Sequence, residues 1–478
     1  MGARRGNRIG RSAFHSHARR PLSCGTGSVC TLHRGPPVTA SASTTAEHTP
    51  HVDTSRAEDP GGLRVWQIRA LLAGVALLLA GNGLQATLVG VRAGLENMSD
   101  TTIGLIMSAY FAGFAIGTVV APRLIESVGH IRAYAALASI ASALSLVFVI
   151  VVSPPVWMVL RALHGASYAG LLIVIETWLN GATGRDQRGH ILAMYMIVFY
   201  AGWAASQPML LMASPGGFVL FCLVSVCLSL SLVPITLSRA GVPGVVTADR
   251  PKLSQLYRIS PFALFGSGLT GLAASAFFGM APTFGQRIGL SEAGIAALIG
   301  LMLLGALALQ WPFGWLSDRV DRRLVALAAA AASVAVSAGM TVMGPEAPLW
   351  SLLGLSFLLG GTLMPVYSLC VAHANDQIER NDLIAVASGL ILIYGFGSVF
   401  GPFAASVLMG SLGPTGLFAF IGGTGVLILL MGVWRLLVAP APDMEVKQGF
   451  VAVPHTSHAA YLLHRHGPGV TKGETAPR

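Results

Sequence analysis

The sequence predicts an all-α membrane protein whose 12 transmembrane helices form two pseudo-symmetric six-helix bundles. Three observations predict it. The 478 residues are 54% hydrophobic and 10% charged, with a mean hydropathy of +0.68, whereas a soluble domain is about a quarter charged. Apolar windows of roughly 20 residues, long enough to cross a hydrocarbon core at about 1.5 Å per residue, recur twelve times. The chain also echoes itself: Leu124, Glu126 and Val128 return 192 residues later as Leu316, Asp318 and Val320. Tyr200 with Gln207-Pro208 returns 194 residues later as Tyr394 with Gly401-Pro402.

Residues 1–63 are rich in Arg, Ser, Gly, Pro and His and lack an apolar period, so they bury too little surface to offset ordering entropy. They are expected to be disordered. Before Glu47 they hold no acidic residue, a composition that fits an organellar transit peptide, a bacterial extension or a start codon placed too early. The last two are the plainer readings. Six spans follow near 68–91, 101–121, 132–152, 156–180, 190–212 and 217–237, making an N-terminal bundle over 64–238. The first begins past residue 60, too far along for a signal peptide. Loops of five to ten residues make consecutive helices antiparallel neighbours. A longer cytoplasmic linker, 239–258, leads to spans near 259–281, 294–315, 324–343, 349–374, 384–409 and 415–437, the C-terminal bundle over 259–438. The Pro- and His-rich tail, 439–478, is again expected to be disordered.

With the first span running outward, the inner loops hold twelve Lys and Arg and the outer loops two, Arg92 and Arg287. This asymmetry places both termini in the cytoplasm and the chain in the cell (inner) membrane. The net charge of +10 comes largely from those loops and from the nine Arg of residues 1–67. Anionic lipid is therefore the expected partner of this charge, and nucleic acid is not. The five cysteines are scattered between the N-terminal segment and the spans, with no metal or disulfide framework. No cofactor is expected, and the protein is read as a monomer.

Paired six-helix halves are the construction plan of secondary transporters, in which a solute site lies between halves that rock around it. There is no Gly-x-x-x-x-Gly-Lys-Ser/Thr motif, so an ion gradient or the solute gradient must drive transport. The partner expected is a small solute, with a proton gradient as the coupling source. An uncoupled facilitator and a membrane sensor remain open on the same fold. A membrane enzyme is disfavoured because no loop gathers a catalytic cluster; the nearest, 375–383 with Asp376, Glu379 and Asp382 beside Arg380, reads as a solvated loop.

The charged hairpin Gly314-Trp-Leu-Ser-Asp-Arg-Val-Asp-Arg-Arg323 resembles the loop signature of the major facilitator superfamily, Gly-x-Leu-Ala-Asp-Arg-x-Gly-Arg-Lys. Asp321 replaces the second glycine, and the first-half copy is degraded, with Pro122, Glu126 and Ser127 at the Gly, Asp and Arg positions. The resemblance covers roughly residues 64–438 and implies twelve spans and transport. Arg161-Ala-Leu-His-Gly165, Glu176, Arg188-Gly189-His190 and the 195–200 stretch are similar to a poorly characterised bacterial subgroup. Two family patterns are missing: span one has no acidic residue, and Pro234 is not followed by the charged motif of sugar porters.

Physically, the hairpin is expected to act as a cytoplasmic latch. Gly314 permits close approach, while Asp318, Arg319, Arg322 and Arg323 supply charges that meet a helix end, a bias worth about 0.3–1 kcal/mol. Glu126, Glu176 and Arg188 are expected at the same gate. Within the spans and away from their ends, Arg161 and Glu176 are the acidic or basic residues other than histidine. An Arg in hydrocarbon costs at least about 2.5 kcal/mol, so Arg161 is expected to face a cavity or partner and to bind an anionic group or couple to a proton site. Tyr168 shares its helix face. Asn82 and Gln85 on span one, Tyr200 and Gln207 on span five, and His164 complete the expected substrate and coupling set; each also serves ordinary helix packing.

Overall fold

A computed structural model of the chain describes residues 65–181, 188–237, 253–378 and 383–438. The segments 1–63 and 439–478 and most of the 239–258 linker thus lie outside the described residues. Among the described residues there are helices and no strand. The first half comprises α1 (Val65–Leu95), α2 (Asp100–Val128), α3 (His130–Ile150), α4 (Pro154–Gly181), α5 (Arg188–Ser206) and α6 (Val219–Thr236). A short α7 (Leu253–Ile259) occupies the end of the expected linker. The second half comprises α8 (Pro261–Arg287), α9 (Glu292–Arg319), α10 (Arg322–Met343), α11 (Leu349–Asn375), α12 (Leu383–Leu412) and α13 (Gly416–Val438).

Eleven of these helices are long and apolar enough to cross a bilayer. The twelfth crossing is α5, 19 residues long, extended by a 3₁₀ turn at Pro208–Met212. Pro208 lacks the N–H that a continuing helix needs, so the helix stops at Ser206 and tightens. Outward-facing Leu, Val and Ile, with Trp315 and Trp434 near one end and Trp350 near the other, give the bundle a lipid-compatible coat.

The duplication is visible in the helix starts. Ser99 Oγ accepts from the Thr102 N–H at the start of α2, and Ser291 Oγ accepts from the Gly294 N–H at the start of α9, 192 residues on. Asp100 and Glu292 follow, placing a carboxylate in each first turn, where the helix dipole favours it. Helix pairing repeats as well: α1 with α6, α1 with α5, α2 with α4, α3 with α4 and α3 with α6 recur as α8 with α13, α8 with α12, α9 with α11, α10 with α11 and α10 with α13.

The closest approaches repeat almost residue for residue. A Cβ on Gly113 would run into the Ala162 carbonyl, and one on Gly165 into the Tyr110 carbonyl. In the second half, Gly305 meets the Phe357 carbonyl and Gly360 the Met302 carbonyl in the same way. The offsets are 192 between α2 and α9 and 195 between α4 and α11. Such glycines let two backbones touch, which is how helices gain van der Waals contact in a solvent as apolar as themselves. Gly397 and Gly401 of α12 do the same against Gly268 and Leu272 of α8.

The two halves meet at the end away from the charged hairpin. There Arg287 of α8 pairs with Asp100 of α2 at 2.7 Å. Gln286 Nε2 donates to the Val91 carbonyl at 2.9 Å, and the Phe403 N–H donates to Ser108 Oγ at 3.2 Å. Pro282 sits on Gly90, and Pro402 on Gly279 of its own half and near Gly104 of the other. A little deeper, Trp203 of α5 stacks on Phe278 of α8 with centroids 4.6 Å apart. At the hairpin end Tyr195 meets Glu176 in the first half, while in the second Arg322 meets Asp376 and Asp318, Arg323 meets Asp321 and Gln377 meets His373.

Candidate functional site

Beneath that seam lies a central cavity of about 80 Å³, walled by α1, α2, α4 and α5 from one half and α8 and α12 from the other. Its walls are aromatic: Tyr110, Phe111 and Phe114 of α2, Phe199 and Trp203 of α5, and Phe278 of α8. Asn82, Arg161 and Tyr168 of the expected site line it too. Its Ser and Thr hydroxyls are committed to helix backbone: Thr118 donates to the Ala115 carbonyl at 2.7 Å, Ser275 to Leu272 at 3.1 Å and Ser398 to Gly271 at 3.2 Å.

Arg161 stands two turns into α4 with only 2% of its surface exposed. Its guanidinium carbon lies 4.4 Å above the centre of the Tyr110 ring, and Nη2 points at Met107 Sδ, 3.5 Å away. Nε and Nη1 have no hydrogen-bond partner among the described residues. Among the described residues no carboxylate is paired with it. A cation over an aromatic face gains about 2 kcal/mol when desolvated, comparable to the roughly 2.5 kcal/mol insertion cost.

Tyr110 organises the cluster. Its hydroxyl donates to Asn82 Oδ1 at 3.3 Å, and His164 Nε2 approaches the same oxygen at 3.3 Å. Its ring lies 6.2 Å from the His164 ring and 6.4 Å from Tyr168. Arg161, Asn82, His164 and Tyr168 thus come together around a residue the sequence reading did not single out. The signal available was the aromatic run Tyr110, Phe111 and Phe114, which spans one turn of a helix whose glycines Gly113 and Gly117 face α4.

Three expected residues lie elsewhere. Gln85 shares α1 with Asn82 but turns to α3, where its Oε1 accepts from Ser145 Oγ at 2.9 Å. A spacing of three leaves two side chains about 60° apart around a helix, enough to point one at a cavity and the other at a neighbour. Gln207 lies at the seam, bridging α5 to α1 by accepting from Thr87 Oγ1 at 2.9 Å. Tyr200 is buried against Phe199, ring centroids 5.7 Å apart, and is not among the residues lining the cavity.

At the hairpin, the centre is Arg322 rather than Asp318. Arg322 is 2% exposed, donates from Nε to Asp376 Oδ2 at 2.7 Å and reaches Asp318 only at 3.5 Å. Asp376, at the C-terminal end of α11, belongs to the loop that sequence alone reads as solvated. Asp321 caps α10, accepting from the Arg323 N–H at 2.9 Å, and pairs with the Arg323 side chain. Burial raises the Asp321 carboxyl, but its hydrogen bonds to Arg323 outweigh that and hold it below its ordinary 3.8. Gly314 is buried, while Arg319 lies exposed over the Trp315 ring.

Of the first-half members of the expected gate, Glu126 is exposed. Glu176 is buried in α4 and accepts from Tyr195 Oη at 3.1 Å. The Arg188 side chain lies outside the described residues, as does Arg185. The polar cavity cluster is not duplicated either. At the α2/α9 and α4/α11 offsets, Tyr110, Arg161, His164 and Tyr168 correspond to Met302, Ser356, Leu359 and Leu363.

Two repeated six-helix halves around a cavity define a multi-pass membrane transporter. The chain belongs to the Major Facilitator Superfamily, whose family profile matches residues 71–294 and 263–465. It is similar to an uncharacterized MFS-type transporter of Enterobacter sp. (strain 638), with 26% identity over 78% of this chain and 96% of the relative. It is also similar to the uncharacterized MFS-type transporter YcaD of Salmonella heidelberg, with 27% identity over 79% and 98% respectively. Among solved structures, a point mutant of the nucleoside transporter NupG shares the fold at a TM-score of 0.65, with 12% identity, covering 78% of this chain and 99% of that one. A bacterial homolog of the human lysosomal transporter Spinster, inward-facing and occupied, matches at 0.62, with 15% identity, covering 81% and 99%. These relatives are transporters and not enzymes.

Proposed function

We propose that this protein is a secondary transporter that moves a small solute across the cell's cytoplasmic membrane by alternating access, as a monomer in the bilayer, with the hairpin end and both termini in the cytoplasm. The observation that carries this reading is a central cavity lined by both halves, with a cross-half seam on one side of it. Ion pairing, hydrogen bonds and the Trp203–Phe278 stack join the halves on the side of Asp100 and Arg287. At the hairpin end the contacts of Glu176 with Tyr195, of Arg322 with Asp376 and of Arg323 with Asp321 lie within one half. These contacts support an inward-open reading, in which breaking the seam while closing the hairpin end would present the same cavity to the other side.

The Asp318–Arg322–Asp376 cluster supports a latch that fixes the hairpin end of the second half in one arrangement. Coupling to a proton gradient is supported by Glu176, a buried carboxylate held by Tyr195 on the neighbouring helix. The test is a solute panel in proteoliposomes with and without a pH gradient. Flux that depends on the protein, saturates and responds to the gradient is expected; protein-independent flux for every solute would leave the fold without this function.

A further inference from the structure

Resting on the transport reading, the cavity has a chemistry that names its cargo: we infer that it binds an organic monoanion with an aromatic body, its carboxylate or similar oxyanion seated on Arg161. Arg161 lines the cavity, is 2% exposed, and keeps Nε and Nη1 without partners among the described residues. A guanidinium donates charge-assisted hydrogen bonds to an oxyanion, and Nε and Nη1, which point to different sides of the group, are each uncommitted. Of the other donors on the wall, Thr118, Ser275 and Ser398 donate to backbone carbonyls and Tyr110 donates to Asn82, while the Asn82 amide, Tyr168 and Trp203 also line the cavity but are neutral.

Charge balance narrows the class further. Among the described lining residues Arg161 is the sole cation and there is no carboxylate. A cationic or zwitterionic solute would bury an uncompensated ammonium, and a dianion would leave one charge unmatched in a low-dielectric site. The rest of the wall explains the body. Phe111, Phe114, Phe199, Trp203 and Phe278 present ring faces and edges that pack best against another planar ring.

The experiment uses the full chain in nanodiscs and isothermal titration calorimetry. The probes are phenylacetate and 2-naphthoate, their neutral amides, phenethylamine, and acetate and chloride as small anions. Each aromatic acid is expected to bind at least about tenfold more tightly than its amide, the ratio a buried charge-assisted hydrogen bond supplies, while the amine and the small anions bind more weakly still. Arg161→Gln should make acid and amide equal, and Arg161→Lys should keep part of the difference. The acid-to-amide ratio in the unaltered protein decides the question even if a variant fails to fold. Acids binding no better than amides, preference for the amine, or no binding by either acid overturns the inference, and tight chloride or acetate binding alone would reassign Arg161 to a small-anion site. Labelling of Ser275→Cys from each side of the membrane tests alternating access without any solute. Alternating accessibility without acid preference would remove only the substrate class, and acid preference without alternation would remove only the transport reading.

Discussion

Replacing Asp100 by Asn should shift this transporter toward its outward-open state by about fivefold. Asp100 and Arg287 belong to different halves and meet at 2.7 Å, with Asp100 5% and Arg287 48% exposed. Because half of the arginine is in solvent, the pair is worth no more than the upper value for an exposed bridge, about 1 kcal/mol. The interaction of the Asp100 carboxylate with its own helix start is present in both states and cancels. Only the cross-half pair differs, and about 1 kcal/mol corresponds to roughly a fivefold change in the ratio of the two states. Gln286–Val91 and Ser108–Phe403 remain, so the seam weakens without being lost.

The assay places a single cysteine at Ser275, on the cavity wall, in a background in which the five native cysteines are replaced. Intact cells are treated with a membrane-impermeant maleimide, whose labelling rate is proportional to the outward-open population while that population is small. Asp100→Asn should raise the rate about fivefold, and adding Arg287→Gln should change it little more, since the pair is already broken. An unchanged rate in folded Asp100→Asn protein would refute the seam as a gate. A further large rise from Arg287→Gln would show that the two side chains act independently.

Three other outcomes follow from packing and charge. Gly305→Ala drives a methyl into the Phe357 carbonyl and Gly113→Ala drives one into Ala162, so each should cost about 1–3 kcal/mol of thermal stability in detergent, and by a similar amount if the halves are equivalent. Asp376→Ala removes the closest partner of buried Arg322 and should cost about 3 kcal/mol, whereas Asp318→Ala, whose carboxylate is 39% exposed, should cost under about 1 kcal/mol and alter transport rate more than expression. The Asp321 carboxyl is held below 3.8 in the fold, so its contribution is present above that value and is lost as pH falls through the lower folded value. The stability gap between the native chain and Asp321→Asn, followed by melting at a series of pH values, should be constant above pH 5 and close below pH 4.

Twelve crossings were legible because they rest on short-range signals, apolar length and a charged hairpin with a weaker twin; their pairing was not, since short loops suggest consecutive neighbours whereas α1 packs on α5 and α6, and α2 on α4. The hairpin's charges were legible as a cluster, but their partner was not. Asp376 sits 54 residues from Arg322, and nothing in its local sequence separates a buried carboxylate from a solvated one. Within the cavity, Arg161 was found because charge in an apolar span is costly, and Tyr168 and His164 came with it by helical spacing. Tyr110 was missed because an aromatic in a membrane span carries no such cost, so its hydrogen bond to Asn82 is invisible until α1 and α2 are assembled. Gln85 and Gln207 were included for polarity alone, which packing satisfies equally well, through Ser145 and Thr87.

The departure from symmetry is where function concentrates. The glycine contacts and helix caps repeat between halves at fixed offsets, so the scaffold constrains both copies alike. At the positions corresponding to Tyr110, Arg161, His164 and Tyr168 the second half carries Met302, Ser356, Leu359 and Leu363, which serve packing alone: Ser356 spends its hydroxyl on the Leu298 carbonyl at 2.7 Å. The first half therefore holds the polar chemistry, while α8 and α12 complete the cavity with the ring of Phe278 and with hydroxyls bonded to backbone. A solute gripped by one half keeps its contacts while the other half rocks across it, so binding energy changes little between the two access states. A transporter needs that property, since a site much tighter in one state than the other would trap its cargo there.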